Sequence, residues 1–320
     1  MPRLLLTVAA AASALLFIGP AAAQNAPASH PDLRLSVVGV GAKDYAESLN
    51  FYTKIMGLRP AFTFDTAAKT TNTYLQVSRD TFLELQTSTA TNRPGLTHIH
   101  METSDVEAIA ARLRKAGLAA CSDSRKTNCI NDVRIAEPTK EKNVLVVDPS
   151  GIRIEPTQFT PGSLSKKAVD SWDRGASERL LVVGIAVTDY PASQNFYEKI
   201  IGFPTAFKFT SPDGQRTTTY YQISRDSFLE MQPVTATMPA GLTHVHILTG
   251  DLTALITKLH QAGLASAPRN GTTPNTVTEP GLTQPSNVKS ANVFDPNGIR
   301  LELNEWLPDS LTKKAMESWK

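Results

Sequence analysis

Two imidazoles two residues apart occur twice in this chain: His98 and His100 in Gly95-Leu96-Thr97-His98-Ile99-His100, and His244 and His246 in Gly241-Leu242-Thr243-His244-Val245-His246. Residues i and i+2 of a strand share a face, so each pair offers two nitrogen donors side by side. Alternation in neighbouring runs gives matching polar faces: Glu84 sits with Phe82 and Gln86, Glu155 with Arg153, and Tyr74 with Gln76 and Ser78, while Ile99, Met101, Leu83, Leu85, Ile152 and Ile154 turn the other way. Every such strand therefore has one face suited to a cavity and one suited to packing under helices.

The elements that must carry these faces are repeated. Asp44-Tyr45 recurs as Asp189-Tyr190, Asn50-Phe51-Tyr52 as Asn195-Phe196-Tyr197, and Ser78-Arg79-Asp80 as Ser224-Arg225-Asp226. Asp148-Pro149-Ser150-Gly151 returns as Asp295-Pro296-Asn297-Gly298, and Ser171-Trp172 as Ser318-Trp319. The chain is a duplication, with a first domain over 24–172 and a second over 173–320, joined near Asp173 to Ser177.

Within a copy, the strand-like run Leu35 to Val40 leads to Asp44, an N-cap with Glu47 as its capping-box partner. Leu49, Tyr52, Ile55 and Met56 follow at helical spacing until Gly57 stops the helix. Three strands come next, Ala61 to Phe64, Thr73 to Ser78 and Phe82 to Thr87, with Arg79-Asp80 as a solvated hairpin turn. The pattern then restarts: a strand over Thr97 to Glu102, a helix capped by Asp105, a long polar loop, and closing strands over Asn143 to Val147 and Ile152 to Thr157. Each copy is two βαβββ units, so the chain has four. The Asp-Pro pairs read as turn chemistry, and Leu164 to Trp172 and Leu311 to Trp319 as short amphipathic helices whose Trp packs on its own or the neighbouring domain. Loops over Ala119 to Lys142 and Ala265 to Lys289 frame the two cavities, and their unlike sequences make the pockets non-identical.

Composition narrows the context. Residues 1–23 have the form of a secretory signal, with Arg3, an apolar run from Leu4 to Ile18, and Ala21-Ala22-Ala23 before Gln24. That form places the protein outside the cytoplasm, in a bacterial periplasm. With 32 Lys+Arg against 30 Asp+Glu, the balance argues against nucleic acid or an anionic membrane as partner, and no later run is long enough to span a bilayer. Cys121 and Cys129 are the two cysteines; in an oxidising compartment they read as a local disulfide that pins a loop.

Taken together, these residues resemble the vicinal oxygen chelate superfamily, which includes glyoxalase I, extradiol dioxygenases, and bleomycin and fosfomycin resistance proteins. The carriers are an Asp-x(6)-Phe-Tyr-x(4)-Gly signature (Asp44, Phe51, Tyr52, Gly57; Asp189, Phe196, Tyr197, Gly202), the Thr-His-x-His strand and the Asp-Pro-x-Gly-x-x-x-Glu ending. The resemblance implies an α+β fold in which four βαβββ units form two open, curved-sheet barrels with helices outside. It also implies metal ligands at Glu84 and Glu230 on the fourth strand, His98 and His244 on the fifth, and Glu155 and Glu302 on the last. The family's first-strand ligand, commonly His, falls on Val37 and Val182, and we read His100 and His246 as its replacements.

Such a set suits a divalent ion, Zn, Mn, Ni or Fe(II), which would compensate the desolvated carboxylates. Arg153 and Arg300, on the same faces as Glu155 and Glu302, supply the competing arrangement: ion pairs, with His98 hydrogen-bonded to Glu84 and no metal. The function expected is a metal-dependent lyase, isomerase or dioxygenase acting on a small, oxygen-rich organic substrate, with Glu84 or Glu230 as base and Tyr74, Gln76, Tyr220, Gln222 and Tyr221 as substrate contacts. Glutathione-dependent chemistry is disfavoured by the leader. The alternative is a binding protein that sequesters a small molecule in the same cavity without turnover. The sequence leaves the oligomeric state open, and also whether sites form within or between domains.

Overall fold

The structure, a computed structural model, describes residues 30–90, 93–173, 175, 178–211 and 214–320. The leader expected over 1–23 and part of the expected junction lie outside the described residues.

The first repeat opens with β1 (Arg34–Ala42), α1 (Tyr45–Asn50), β2 (Arg59–Asp65), β3 (Thr71–Ser78) and β4 (Thr81–Thr87). It continues with β5 (Gly95–Glu102), α2 (Val106–Lys115), β6 (Ala119–Ala120), β7 (Cys129–Ile130), β8 (Arg134–Ala136), β9 (Glu141–Asn143), β10 (Val146–Val147), β11 (Arg153–Gln158) and α3 (Leu164–Asp170). The second repeat has β12 (Glu178–Val187), α4 (Tyr190–Asn195), β13 (Thr205–Thr210), β14 (Thr217–Ser224), β15 (Ser227–Pro233) and β16 (Gly241–Thr249). It ends with α5 (Leu252–Gln261), β17 (Ala265–Ala267), β18 (Thr276–Thr278), β19 (Gly281–Thr283), β20 (Val288–Phe294), β21 (Arg300–Trp306) and α6 (Leu311–Ser318).

Each repeat forms one mixed sheet, in the orders β2-β3-β4-β1-β5-β11-β10-β7-β6 and β13-β14-β15-β12-β16-β21-β20-β18-β17. The sheets are open. Both centres have the same local pattern: β1 runs parallel to β4 and antiparallel to β5, and β5 runs parallel to β11. The candidate-bearing strands β4, β5 and β11 thus all lie within one domain's sheet. Helices cover the apolar face, with Val106, Ile109 and Leu113 of α2 buried in the main core.

Four local expectations are corrected. The first helix is not uniform: after α1 the chain widens into a π-helical segment over Phe51–Ile55, and again over Phe196–Ile201. Adjacent residues on an α-helix diverge by about 100°, whereas the wider turn lets both Phe51 and Tyr52 enter the core, edge to face at 5.2 Å. Asp44 does cap α1 by accepting the Glu47 amide, but Glu47 Oε1 accepts from Asn275 of the other domain in place of the capping-box return bond. The polar loop before the closing strands contains β6, β7 and β8, because Cys129–Ile130 pairs with Val146–Val147; the Cys121–Cys129 disulfide closes its tip. Finally, Asp80 and Asp226 of the hairpin turns are ion-paired with Arg34 and Arg179.

The Asp-Pro motif does more than turn the chain. Asp148 Oδ1 accepts the Ser150 and Ile152 amides, as a turn requires, while Oδ2 accepts the hydroxyl of Tyr197 from the second domain at 3.1 Å. The mirror contact joins Tyr52 to Asp295 Oδ2 at 3.0 Å. Both carboxylates are fully buried, so each tyrosine hydroxyl is their partner across the domain boundary. The Phe-Tyr signature of one copy and the Asp-Pro signature of the other are one structural unit. Tyr197→Phe and Tyr52→Phe each leave a buried carboxylate without that donor and should each lower unfolding free energy by about 1–3 kcal/mol in denaturant titration; wild-type midpoints in both variants would contradict this linkage.

Candidate metal centre

Two rows of side chains form the floor of each cavity. In β-sheets, residues paired across neighbouring strands stand about 4.8 Å apart on one face. Gly39 pairs with Glu84, and Val37 with His100, which in turn pairs with Glu155. In the second domain Gly184 pairs with both Glu230 and His244, Val182 with His246, and His246 with Glu302.

These rows bring the expected ligand residues together. His98 Nε2 lies 3.0 Å from Glu84 Oε2; His100 Nε2 lies 3.9 Å from the same oxygen and 3.6 Å from Glu155 Oε2. In the second domain His244 Nε2 and His246 Nε2 each stand 3.3 Å from Glu230 Oε2, and His246 Nε2 stands 3.8 Å from Glu302 Oε2. The ligand atoms of Glu84, His98 and His100, and those of Glu230, His244 and His246, lie within 4.8 Å of one another, and all six residues are buried.

The first-strand position is resolved by Gly39 and Gly184. A Cβ built at Gly39 would stand 2.4 Å from His98 Cε1, and one at Gly184 would stand 2.3 Å from His244 Cε1. The imidazole lies flat on the strand where a side chain would otherwise project. Val37 packs instead with Tyr74, Phe82, Phe159 and Ala168 in an apolar cluster, as Val182 does with Tyr220 and Phe228. The first strand contributes space, and the second histidine of each pair raises the donor count to that of a four-residue set.

Surrounding amides orient the carboxylates. Asn72 and Gln86 donate to Glu84 Oε1 at 2.7 and 3.0 Å, and Asn143 donates to Glu155 Oε2 at 3.1 Å. Because Gln86 gives its NH₂ to Glu84, its carbonyl faces Thr97, whose hydroxyl donates to it at 3.4 Å and stands 2.8 Å from His98 Nδ1. Thr97 Oγ1 therefore accepts from His98 Nδ1–H, leaving Nε2 to face the centre. Among the described residues the competing ion pair is present once: Arg153 bridges Glu155 Oε1 at 3.0 Å. In the second domain Glu302 Oε1 accepts from Asn304 at 3.2 Å.

The substrate-contact residues separate into groups. Tyr74 lines the first cavity, stacked on Phe62 at 4.5 Å. Tyr220 donates to Glu230 Oε2 at 2.6 Å. Tyr221 faces the core beside Tyr197. Gln76 and Gln222 turn from the cavity: their amides donate to the Arg79 and Ala168 carbonyls and to the Arg225 and Ala315 carbonyls, tying hairpin turns to α3 and α6.

The first cavity, about 330 Å³, opens directly over Glu84, His98, His100 and Glu155, within the size range of small-molecule sites. Its wall includes Arg153 together with Arg134 and Glu141, two residues that no sequence motif marks. Glu141 is buried, held by Ser165 and Thr139, and burial pushes its carboxyl up to about 7. Nothing in its Lys-Glu-Lys setting signals burial. The cavity of about 420 Å³ in the second domain reaches only Arg300 and Glu302 of that site, under a loop wall from Arg269 to Thr272.

A divalent ion fits both sets. His246 Nε2 is buried and 3.3 Å from one carboxylate oxygen, yet lacks a hydrogen-bond partner among the described residues. Neutral imidazole lone pairs and carboxylate oxygens converging on one point need a cation between them. Without one, a proton partly serves. Burial opposes ionisation of Glu84 and of His98, but their mutual hydrogen bond and charge outweigh it, holding Glu84 at about 2 and raising His98. Burial first, then the charges of His98 and Arg153, lower His100 against the pull of Glu155 and Glu84; burial and the Arg300 charge bring His244 to about 4.

A family model, Glyoxalase/Bleomycin resistance protein/Dioxygenase superfamily, matches residues 34–155 and 179–303. Comparison with curated proteins gives no sequence match. Homoprotocatechuate 2,3-dioxygenase from Arthrobacter globiformis is similar in structure at 18% identity and TM-score 0.61, over 87% of this chain and 81% of that one. The Mn(II)-bound glyoxalase from Novosphingobium aromaticivorans is similar at 16% identity and TM-score 0.61, over 87% and 83%. So is 2,2',3-trihydroxybiphenyl 1,2-dioxygenase from Sphingomonas wittichii strain RW1, at 16% and 0.60, over 90% and 94%. At these identities the likeness is one of fold.

The Glu84–His98 pair sets a pH dependence in metal-free protein. The depressed Glu84 value gives stability that is present above about pH 4.5 and lost as pH falls towards about 2. The raised His98 value gives stability present below about pH 6.5 and lost as pH rises through it. Melting temperature of EDTA-treated protein should therefore fall on both sides of that window, and Glu84→Gln should flatten both limbs; superimposable profiles would rule the pair out as their source.

Proposed function

Because the chain belongs to the Glyoxalase/Bleomycin resistance protein/Dioxygenase superfamily, we propose that it is a secreted, metal-dependent enzyme working on a small oxygen-rich substrate in the first domain's cavity. The observation that carries this reading is the direct exposure of Glu84, His98, His100 and Glu155 to that cavity. The similar solved structures include catechol-type dioxygenases and a Mn(II)-bound glyoxalase, which supports a substrate with adjacent oxygen atoms.

Glu84, His98, His100 and Glu155 would hold the ion, which when bound supplies Lewis-acid stabilisation of developing negative charge on substrate oxygen. Phe64 and Tyr74 give the cavity an aromatic side, with Phe62 stacked on Tyr74, while Arg134 and Arg153 set positive charge at the rim. A carboxylate held at about 2 is a weak base near neutrality, and Glu84 is better matched to ligation. Glu141, raised to about 7 by burial, can both accept and return a proton at its carboxyl. We assign it the general acid/base role, with Glu84 and Glu230 as ligands. The residue matching Glu141 in the second domain's closing strand is Val288, so that domain lacks the proton carrier.

The test combines metal analysis of protein isolated from the periplasm with turnover assays on catechols, under oxygen, and on 2-oxoaldehydes. Near-stoichiometric divalent metal is expected, and it should be lost in the His98→Ala/His244→Ala double variant. Glu141→Gln should retain metal while turnover falls roughly 10²–10⁴-fold. Metal-free protein whose melting temperature ignores added Mn, Ni, Zn and Fe(II) would sink the reading. Ligand binding without turnover would favour sequestration in the same aromatic-walled cavity.

A further inference from the structure

The two centres share a floor but differ in what stands behind the second histidine. In the second domain His246 Nδ1 lies 2.8 Å from Asn304 Oδ1. Asn304 gives its NH₂ to Glu302 Oε1 at 3.2 Å, and a carboxylate only accepts, so the orientation of the amide is settled. Its Oδ1 must then accept from His246 Nδ1–H. The neutral tautomer follows: once the proton that Glu302 and Glu230 favour on this ring is displaced, Nε2 carries the lone pair and points between Glu230 and Glu302, where it has no hydrogen-bond partner among the described residues.

In the first domain Thr157 stands at the matching place, two residues after the last-strand glutamate. Its hydroxyl donates to the Glu155 carbonyl at 2.8 Å, and His100 Nδ1 is buried with no hydrogen-bond partner among the described residues. Ligation through His100 Nε2 would require a proton on Nδ1, where no acceptor receives it. That buried donor is a cost the second domain does not carry.

From this geometry, and resting on the metal-binding reading above, we infer that Asn304 is a positioning residue that makes the second domain the tighter metal site, while Thr157 leaves the first, open site weaker. The division agrees with access: the first centre opens on a cavity that all four of its side chains line, where a substrate can reach the ion.

The experiment is a Mn(II) titration of EDTA-treated full-length protein, reading free Mn(II) by its electron paramagnetic resonance signal. Wild type should show two classes of site whose dissociation constants differ by roughly 10–100-fold, the tighter one disappearing in His246→Ala. Asn304→Thr should weaken the tight class by a similar factor and leave the other in place. Thr157→Asn should tighten the weak class, a gain that damaged folding cannot produce; a circular-dichroism melt of each variant accompanies the titration. Two equal sites in wild type, or exchange variants that bind like wild type, overturn the inference while leaving metal binding intact. Absence of any Mn(II) binding at millimolar concentration overturns both the inference and the metal-dependent function.

Discussion

Four ionisable side chains on one sheet floor, all withdrawn from water, need a positive charge among them, and most of the design follows from that need. An uncompensated buried carboxylate costs several kcal/mol. The first domain meets part of the demand with Arg153, which reaches Glu155 from the rim, and part with amide donors on Glu84. What is left is the space between Glu84 Oε2 and two imidazole nitrogens. Gly39 lets His98 lie over β1, Thr97 fixes which nitrogen faces inward, and π-helical widening seats the Phe-Tyr pair in the core. Sheet register, helix packing and hydrogen bonds all converge on presenting a few lone pairs to one point.

Much of this was legible in the residues. The duplication, the four βαβββ units and the grouping of Glu84, His98, His100 and Glu155 follow from alternation and matched motifs, because strand periodicity dictates which side chains share a face. The Cys121–Cys129 bridge followed from spacing in a polar loop. Features set by contacts between distant segments were not legible. Gln76 alternates with Tyr74 as a cavity residue should, yet its amide is taken by the ends of a turn and of α3. Glu141 sits between two lysines and reads as solvated, but β9 pairs with β11 and carries it under Ser165. Asp148 looked complete as a turn residue, and only the placement of the second domain reveals Tyr197. The role of Gly39 was hidden because an absent side chain leaves no pattern.

Duplication also explains why similarity and difference coexist. The reciprocal Tyr–Asp contacts require both copies to retain the Phe-Tyr and Asp-Pro signatures, since each serves the other domain. The cavity walls are free of that requirement. Loops between the second helix and the last strands differ in length and composition, Glu141 gives way to Val288, and Thr157 to Asn304. One floor has thus been kept twice beneath two different walls, which permits two unlike centres in a single chain.

The central claim is that an ion, rather than a proton alone, joins the histidines and glutamates of each floor. X-ray absorption at the metal edge of protein reconstituted with one Mn(II) per domain tests this most directly. The account predicts a first shell of nitrogen and oxygen together with the outer-shell scattering of two imidazole rings per ion, with the imidazole signal removed in the His98→Ala/His244→Ala double variant. A spectrum showing only water-like oxygen scattering, the same in wild type and variant, would contradict it.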